Sequence, residues 1–263
     1  MHPAKASMYF SSGRMMVISP FLVADVHQHA VMQFTCSLDG SPFSVWTERD
    51  GWQKTAAVLI NSGEPHGVKD FAGWQITACL LPDASTGKLL QQKILNHEPV
   101  RYYKPTEVAP ILESLQQISN EFLNRDSFFS LSNAIFHHLL GETPFTPPLD
   151  SRIGKALYFI EQNIHQPIQA SVLAAEVHLS EDRFLHLFRE QTGTPLRQYV
   201  LWQRLMAATQ AFVEGRSAKE AAYEAGFSDP AHFSRTFLQM LGGLPSAYAS
   251  QKSLFHFAFF NEK

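Results

Sequence analysis

Cysteine is nearly absent: Cys36 and Cys79 are the two in 263 residues. Two thiols cannot build a disulfide framework for a chain of this length, and such usage fits a reducing compartment. No run of about 18 uninterrupted apolar residues occurs, so no membrane-spanning helix is expected. The first thirteen residues carry Lys5 with no apolar stretch behind it, which argues against a secretory signal and for a cytoplasmic protein. Positive charge is not in surplus either. Only 17% of residues are charged, the net charge is −3 and the pI about 6.4. On that figure alone the chain does not look like a binder of nucleic acid. What is plentiful is core material: 45% of residues are hydrophobic and 21 are Phe. The length suits one large domain or two ordinary ones.

Three regions separate by pattern. From about residue 15 to 95, short runs at 16–18, 31–38, 43–46, 56–60 and 74–81 are rich in Val, Ile, Phe and Trp. Turn signals such as Asp39-Gly40, Asp50-Gly51 and Asn61-Ser62-Gly63 interrupt them, as in a β-sandwich or barrel. Residues 105–141 read as two amphipathic helices, one with Ile111, Leu115, Ile118 and Phe122 on a face, the next with Leu131, Ile135, Phe136, Leu139 and Leu140. These helices either pack within the chain or pair two subunits. The three prolines Pro144, Pro147 and Pro148 then mark a stiff linker over 141–150. Beyond it the pattern is helical to about residue 250. The tail over 251–263, with Phe255, Phe257, Phe259 and Phe260, is apolar enough to pack on a neighbouring surface.

The C-terminal third contains one unit twice. Ala174, Val177 and Ser180 recur 48 residues on as Ala222, Ala225 and Ser228; Phe188, Gly193 and Tyr199 recur 49 residues on as Phe237, Gly242 and Tyr248. A constant offset that slips by one inside a turn is the mark of a duplicated supersecondary unit. Each copy reads as a short helix, a tight turn, and a second helix capped by Ser180 or Ser228. Ser217 with Glu220 reads as a capping box. Between the copies, apolar residues from Leu196 to Phe212 follow helical steps. About nineteen residues make a rod of roughly 28 Å, compatible with two reading helices about 34 Å apart, one duplex turn.

Over about residues 152–248, the run Leu179-Ser180-x-x-Arg183-Phe184-Leu185-His186-Leu187-Phe188-Arg189, then Leu201-Trp202-x-Arg204-Leu205, then Glu220-Ala221-Ala222-x-x-Ala225-Gly226-Phe227-Ser228-Asp229-Pro230-Ala231-His232-Phe233-Ser234-Arg235 resembles the DNA-binding domain of AraC/XylS-type transcription regulators. The resemblance implies seven helices, with two reading helices in successive major grooves. It places Asp182, Leu185 and His186 outward on the first of these, and Pro230, Ala231, Ser234 and Arg235 on the second. Arg235 suits a bidentate contact to guanine, with a phosphate contact or internal ion pair as the alternative. Leu185 suits a thymine methyl or a helix seam. Asp182 departs from the family's usual larger or basic residue and suits a cytosine amine, if it enters the groove at all. Ser180, Arg183, Arg189, Arg197, Lys219, Ser228 and His232 are phosphate-contact candidates. Residues 151–250 hold nine Lys and Arg against nine Asp and Glu. A neutral reading domain predicts weak non-specific affinity and reliance on geometry and base contacts.

In the N-terminal region, His27-x-His29-x3-Gln33-x6-Gly40 and Asn61-x-Gly63-x2-His66 resemble the two cupin signatures, with Gln33 in place of the acid and Asn61 in place of a proline. The resemblance implies a multidomain α+β chain: a cupin-like β-barrel with two appended helices over 1–140, then an all-α domain with tandem helix-turn-helix units over 151–250. His27, His29, Gln33, Trp46, His66 and Trp74 are the effector-pocket candidates. His27, His29, Gln33 and His66 are also a candidate set for a divalent metal, since imidazole suits Zn, Fe, Ni or Cu. The alternative is a relict geometry in which these histidines only line a cavity. The expectation is a non-enzymatic, ligand-responsive regulator, homodimeric through the 105–140 helices. Its partners are then an operator duplex, a small-molecule effector and, for an activator, RNA polymerase. The competing readings are a metal sensor and a metal-dependent cupin enzyme fused to a DNA-binding domain.

Overall fold

The computed structural model of the chain describes all residues except 1–4, 12, 21–23, 83–84, 117–121, 142–148, 193, 242–243, 247–253 and 261–263. Eleven strands are described: β1 (Ala6–Ser11), β2 (Arg14–Ser19), β3 (Ala24–His27), β4 (Met32–Ser37), β5 (Phe43–Thr47), β6 (Gly51–Thr55), β7 (Ala57–Ile60), β8 (His66–Lys69), β9 (Gln75–Leu80), β10 (Val100–Tyr103) and β11 (Phe255–Phe260). Helix α1 (Ser85–Leu89) runs into a π-helical turn, Leu90–Leu95, followed by α2 (Pro105–Gln116) and α3 (Arg125–Leu140). The C-terminal part holds α4 (Ser151–Asn163), α5 (Ala170–Glu176), α6 (Glu181–Thr192), α7 (Leu196–Val213), α8 (Ala218–Glu224) and α9 (Pro230–Leu241). None of the described helices is long and apolar enough to cross a membrane.

Seven strands form one sheet, in the order β10-β7-β4-β9-β2-β1-β11, and four form a second, β3-β8-β5-β6. Side chains alternate across a strand, so the large sheet has two apolar faces. On one face Tyr9, Met16, Ile18, Phe34, Cys36 and Leu59 pack against Val108, Ile111, Phe128, Ile135 and Phe136 of α2 and α3. The apolar faces of these helices thus lie on their own sheet. The opposite face is shared. At its β7 end, Val58 and Ile60 pack with Phe43, Val45 and Val68 of the small sheet. At its β1–β2 end, Met8, Phe10, Met15 and Val17 pack with Trp202, Leu205, Ala222, Phe233, Phe237 and Met240. One continuous core therefore joins the β-rich part to α7, α8 and α9, and the boundary expected at residues 141–150 does not separate two independent cores. Of that linker, residues 142–148 lie outside the described residues.

The structure departs from the sequence expectations in its small elements. Strands β1, β3, β6, β8 and β10 were not anticipated; β3, β6, β8 and β10 are only four or five residues long and lack a clean apolar alternation. The expected first amphipathic helix ends at Gln116, Ile118 lies outside the described residues, and Phe122 falls beyond the helix, where its ring stacks on His256 at 3.7 Å. The tail forms β11, parallel to β1 with Ala6 opposite Phe255 and Ser11 opposite Phe260. Phe255, Phe257 and Phe259 turn toward the α7 side, while Ala258 and Phe260 turn toward α3.

Candidate nucleic-acid interface and histidine cluster

The duplicated unit is visible in main-chain hydrogen bonds. In the first copy, Leu179 N–H donates to Ala174 C=O at 2.9 Å and His178 N–H to Ala175 C=O at 3.1 Å. In the second, Phe227 donates to Ala222 at 2.9 Å and Gly226 to Tyr223 at 3.0 Å. Each turn needs a left-handed residue to reverse the chain, His178 at φ 56° and Gly226 at φ 80°. The slip from 48 to 49 falls at Ser228. Ser180 C=O accepts the Phe184 N–H, whereas Asp229 C=O accepts that of Phe233. Ser228 is therefore not the cap of α9. Asp229 is, with Oδ1 accepting the His232 N–H at 2.7 Å, while Ser228 donates to Asp229 Oδ2 at 3.1 Å. That main-chain bond is the leading reason the Asp229 carboxyl lies below its usual pKa. Gly193, Gly242 and Tyr248 of the repeat lie outside the described residues.

Phe184 and Phe188 are buried against Leu173, Ala174, Val177 and Ile153, and Phe233 and Phe237 against Ala222 and Ala225. That burial fixes which sides of α6 and α9 face outward. Asp182, Arg183, His186 and Arg189 are exposed on α6, and Ala231 and Arg235 on α9, with Ser234, Pro230 and His232 half-buried. Leu185 is half-buried and packs on the first unit's core, which favours its helix-seam reading. Arg197, Lys219, Ser180 and Ser228 are exposed. The His186 imidazole approaches Glu190 at 3.9 Å, and the His232 ring sits edge-on to Phe227 at 5.2 Å. Helix α7, 18 residues and about 27 Å long, separates the two units. Arg204, left without a role by the sequence, donates to Ile164 C=O at 3.1 Å and Gln166 C=O at 2.8 Å, closing the end of α4.

The three histidines expected to act together do meet. His27 ends β3, His29 follows it, and His66 opens β8 directly opposite His27. Ring centroids are 4.5 Å apart for His27–His66, 4.9 Å for His29–His66 and 5.4 Å for His27–His29. One nitrogen from each ring lies within 4.8 Å of the others. Every ring points its Nδ1 at a main-chain carbonyl: His27 at Asp25 (2.7 Å), His29 at Val31 (3.0 Å) and His66 at Glu64 (2.8 Å). Such a bond holds the proton on Nδ1 and leaves Nε2 as the lone-pair nitrogen.

His29 Nε2 lies 2.9 Å from Gln33 Oε1, and Gln33 continues to Thr35 and Thr77 on the inner face of the large sheet. Two carbonyl oxygens thus face one imidazole, an arrangement satisfied by an imidazolium or by turning the Gln33 amide over. Burial pushes the His29 pKa down, so the neutral ring with the amide turned is the cheaper state. His66 Nε2 is buried and has no partner, a deficit worth about 1–3 kcal/mol for an ordinary buried polar group. Burial and the neighbouring His29 push the His66 pKa down to about 3, which keeps that nitrogen's lone pair free at neutral pH. Three neutral imidazole nitrogens are donors that suit a transition metal, whereas the turned Gln33 amide presents its NH2 rather than its oxygen to His29. Trp46 does not join the cluster: Thr47 is the residue opposite His66, while Trp46 pairs with Gly67 and the exposed Trp52, on the other face of the small sheet. Nor does Trp74, which packs against the core between the large sheet and the helices.

Residues 173–251 match a helix-turn-helix domain family. The regulatory protein PocR of Salmonella typhimurium is 30% identical over 105 residues, covering 40% of this chain and 35% of that protein. The arabinose operon regulatory protein of Escherichia coli strain K12 is 30% identical over 104 residues, 39% of this chain and 36% of its own length. The chain thus spans little more than a third of the length of these relatives. The crystal structure of ToxT from Vibrio cholerae O395 aligns over 92% of this chain and 98% of that one, at 15% identity and a TM-score of 0.50. At that identity the likeness is one of fold: a β-rich N-terminal part followed by a helical C-terminal part.

Proposed function

We propose that this chain, whose residues 173–251 match a helix-turn-helix domain family, is an AraC-type, sequence-specific DNA-binding transcriptional regulator controlled by an effector held in its cupin-like N-terminal domain. The observation that carries the reading is the pair of matched helical units joined by α7, each with its second helix exposed along one side. Helices α6 and α9 are the reading helices, with Asp182, Leu185, His186, Ala231, Ser234 and Arg235 toward base edges. Phosphates are met by Ser180, Arg183, Arg189, Arg197, Lys219, Ser228 and His232. The working form is a cytoplasmic homodimer, and an activator of this kind also contacts RNA polymerase. Because α7, α8 and α9 share a core with β1 and β2, effector occupancy reaches the reading helices through that packed face as well as through the linker.

Selection of bound duplexes from a random library with the full chain tests the reading. The expected outcome is a motif with two half-sites about one helical turn, or ~10 base pairs, apart. Equal recovery of all sequences at moderate salt would refute it.

A further inference from the structure

We propose that β11 is the dimerisation strand of this chain, its free edge pairing antiparallel with the β11 of a second copy across a two-fold axis at Ala258. The inference rests on the regulator reading above, whose homodimer it supplies with an interface. Sheet edges present unpaired N–H and C=O groups, and folded proteins blunt them with charge, irregularity or shortness. Of the four sheet edges among the described strands, three are blunted. β10 has four residues and carries Arg101, ion-paired with Glu107. β6 carries Lys54 in its exposed stretch, and β3 breaks register with β8 between Ala24 and His27. β11 has none of these devices. It keeps an unbroken register with β1 over six residues, Phe255 to Phe260, with no proline and no Asp, Glu, Lys or Arg. Burial first, and Lys5 second, push His256 below its ordinary pKa, so the strand is uncharged at neutral pH. Two identical strands then meet without repulsion.

The side chains around this edge are apolar as well. Every residue of β11 is half-buried. Leu254, just before it, and Phe122, stacked on His256, are both exposed. An apolar patch around an unpaired edge marks an interaction surface. Helices α2 and α3, where the sequence placed the dimer, contribute no exposed large apolar side chain among the described residues, because their apolar faces lie on their own sheet. Directly opposite residues of an antiparallel pair share a face of the sheet, so the axis must pass through a residue paired with itself. With Ala258 there, Phe257 of one copy meets Phe259 of the other on the α7 side, and His256 meets Phe260 on the α3 side. The small Ala258 side chains meet at the axis. That axis is normal to the sheet, so each face continues into the second copy. Both copies of α7, α8 and α9 therefore lie on one side of the joined sheet, where one duplex can meet them.

Sedimentation equilibrium of the full native chain is expected to give the mass of two chains. Ala258→Cys is expected to form an inter-chain disulfide with an added oxidant, because opposite Cα atoms of an antiparallel pair lie about 4.5–5.5 Å apart. The native Cys36 and Cys79 are buried and do not compete. Ala258→Lys and Ala258→Glu each set like charges face to face and are expected to weaken self-association about tenfold or more. An equal mixture of the two variants is expected to restore it, which a merely unfolded strand would not do. If both charged variants fail to fold, the native mass and the Ala258→Cys cross-link decide. A native chain that sediments singly at tens of micromolar, or as assemblies larger than two, would overturn the proposal. So would a two-chain species that neither cross-links through Ala258→Cys nor responds to the charges, since its contact lies on another surface. None of these readouts involves DNA, so a failure here leaves the DNA-reading proposal standing. A failure to select any duplex sequence would in turn leave the strand pairing intact.

Discussion

The indole Nε1 of Trp202 donates to the Ser11 carbonyl at 2.8 Å, and both residues are fully buried. The helix that links the two reading units is thereby bonded to the end of β1, the strand beside the sheet edge formed by β11. Trp202 belongs to the stretch that resembles the DNA-binding domain, yet its polar atom serves the contact between the two halves.

Trp202→Phe keeps most of the apolar contact and removes the donor, leaving the Ser11 carbonyl buried and unpaired. The expected loss is about 2 kcal/mol of stability, read as a lowered urea midpoint. If the two halves fold as one unit, the fluorescence of the N-terminal Trp46, Trp52 and Trp74 and the helical circular dichroism are lost together. Two separated transitions in the native chain would show that the shared core does not couple them.

Gly226 leaves no room for a side chain. Its φ is +80°, and a Cβ there would lie 2.7 Å from the Ile164 carbonyl oxygen and 3.0 Å from the His165 Cα. Both are main-chain atoms, and Arg204 already bonds that carbonyl. Gly226→Ala is expected to cost more than ~2 kcal/mol through strain and clash together. A thermal midpoint within a degree or two of the native one would contradict the geometry. His178 holds the matching turn of the first unit without such crowding being required.

Arg235 and Lys219 are expected to differ in kind. If Arg235 grips a guanine edge, Arg235→Ala costs about 1–3 kcal/mol at that base pair and relaxes preference there. Lys219→Ala, removing a phosphate contact, weakens all duplexes alike and lowers the slope of log affinity against log salt by about one. Titrations of the selected duplex and single-base variants at several salt concentrations separate the two. A uniform loss from Arg235→Ala would reassign it to the backbone.

The C-terminal repeat was legible because a tight turn, small crossing residues and buried aromatics each impose a residue type. Ala174/Ala222 and Phe188/Phe237 are therefore matched in sequence as they are in space. The one-residue slip was legible too, but its assignment was not: Ser228 and Asp229 are both good caps, and only the main chain shows which one starts α9. The three histidines were legible as a group through spacings that resemble the two cupin signatures, whereas the pairing of the short strands β3 and β8 that sets His27 opposite His66 was not. The hydrogen bond from the Ala30 N–H to the Gln239 carbonyl left no trace, since main-chain groups carry no side-chain signature. The tail's apolar residues pointed to packing, while a parallel strand beside β1, from the opposite end of the chain, depends on topology that local pattern does not encode. Trp74 was misread for a related reason. An aromatic that faces the core and one that faces a binding site look alike in sequence.

The capping box at α8 gives the last test. Ser217 Oγ accepts the Glu220 N–H at 3.2 Å, and Glu220 Oε2 accepts the Ser217 N–H at 2.9 Å. Ser217→Ala is expected to destabilise the chain by about 1 kcal/mol. The hydrogen bonds from Ser217, side chain first and main chain second, hold the Glu220 carboxyl below its usual pKa. A carboxylate whose folded pKa is depressed contributes stability that is present above its unfolded pKa, about 4.3, and is lost as pH falls through the folded value. Glu220→Gln should therefore reduce the fall in stability on acidification below about pH 4.3, and leave the profile unchanged between pH 6 and 8. Paired urea titrations across that range check it. An unchanged acid limb in Glu220→Gln would mean that the charge contributes nothing and that the cap works through Ser217 alone.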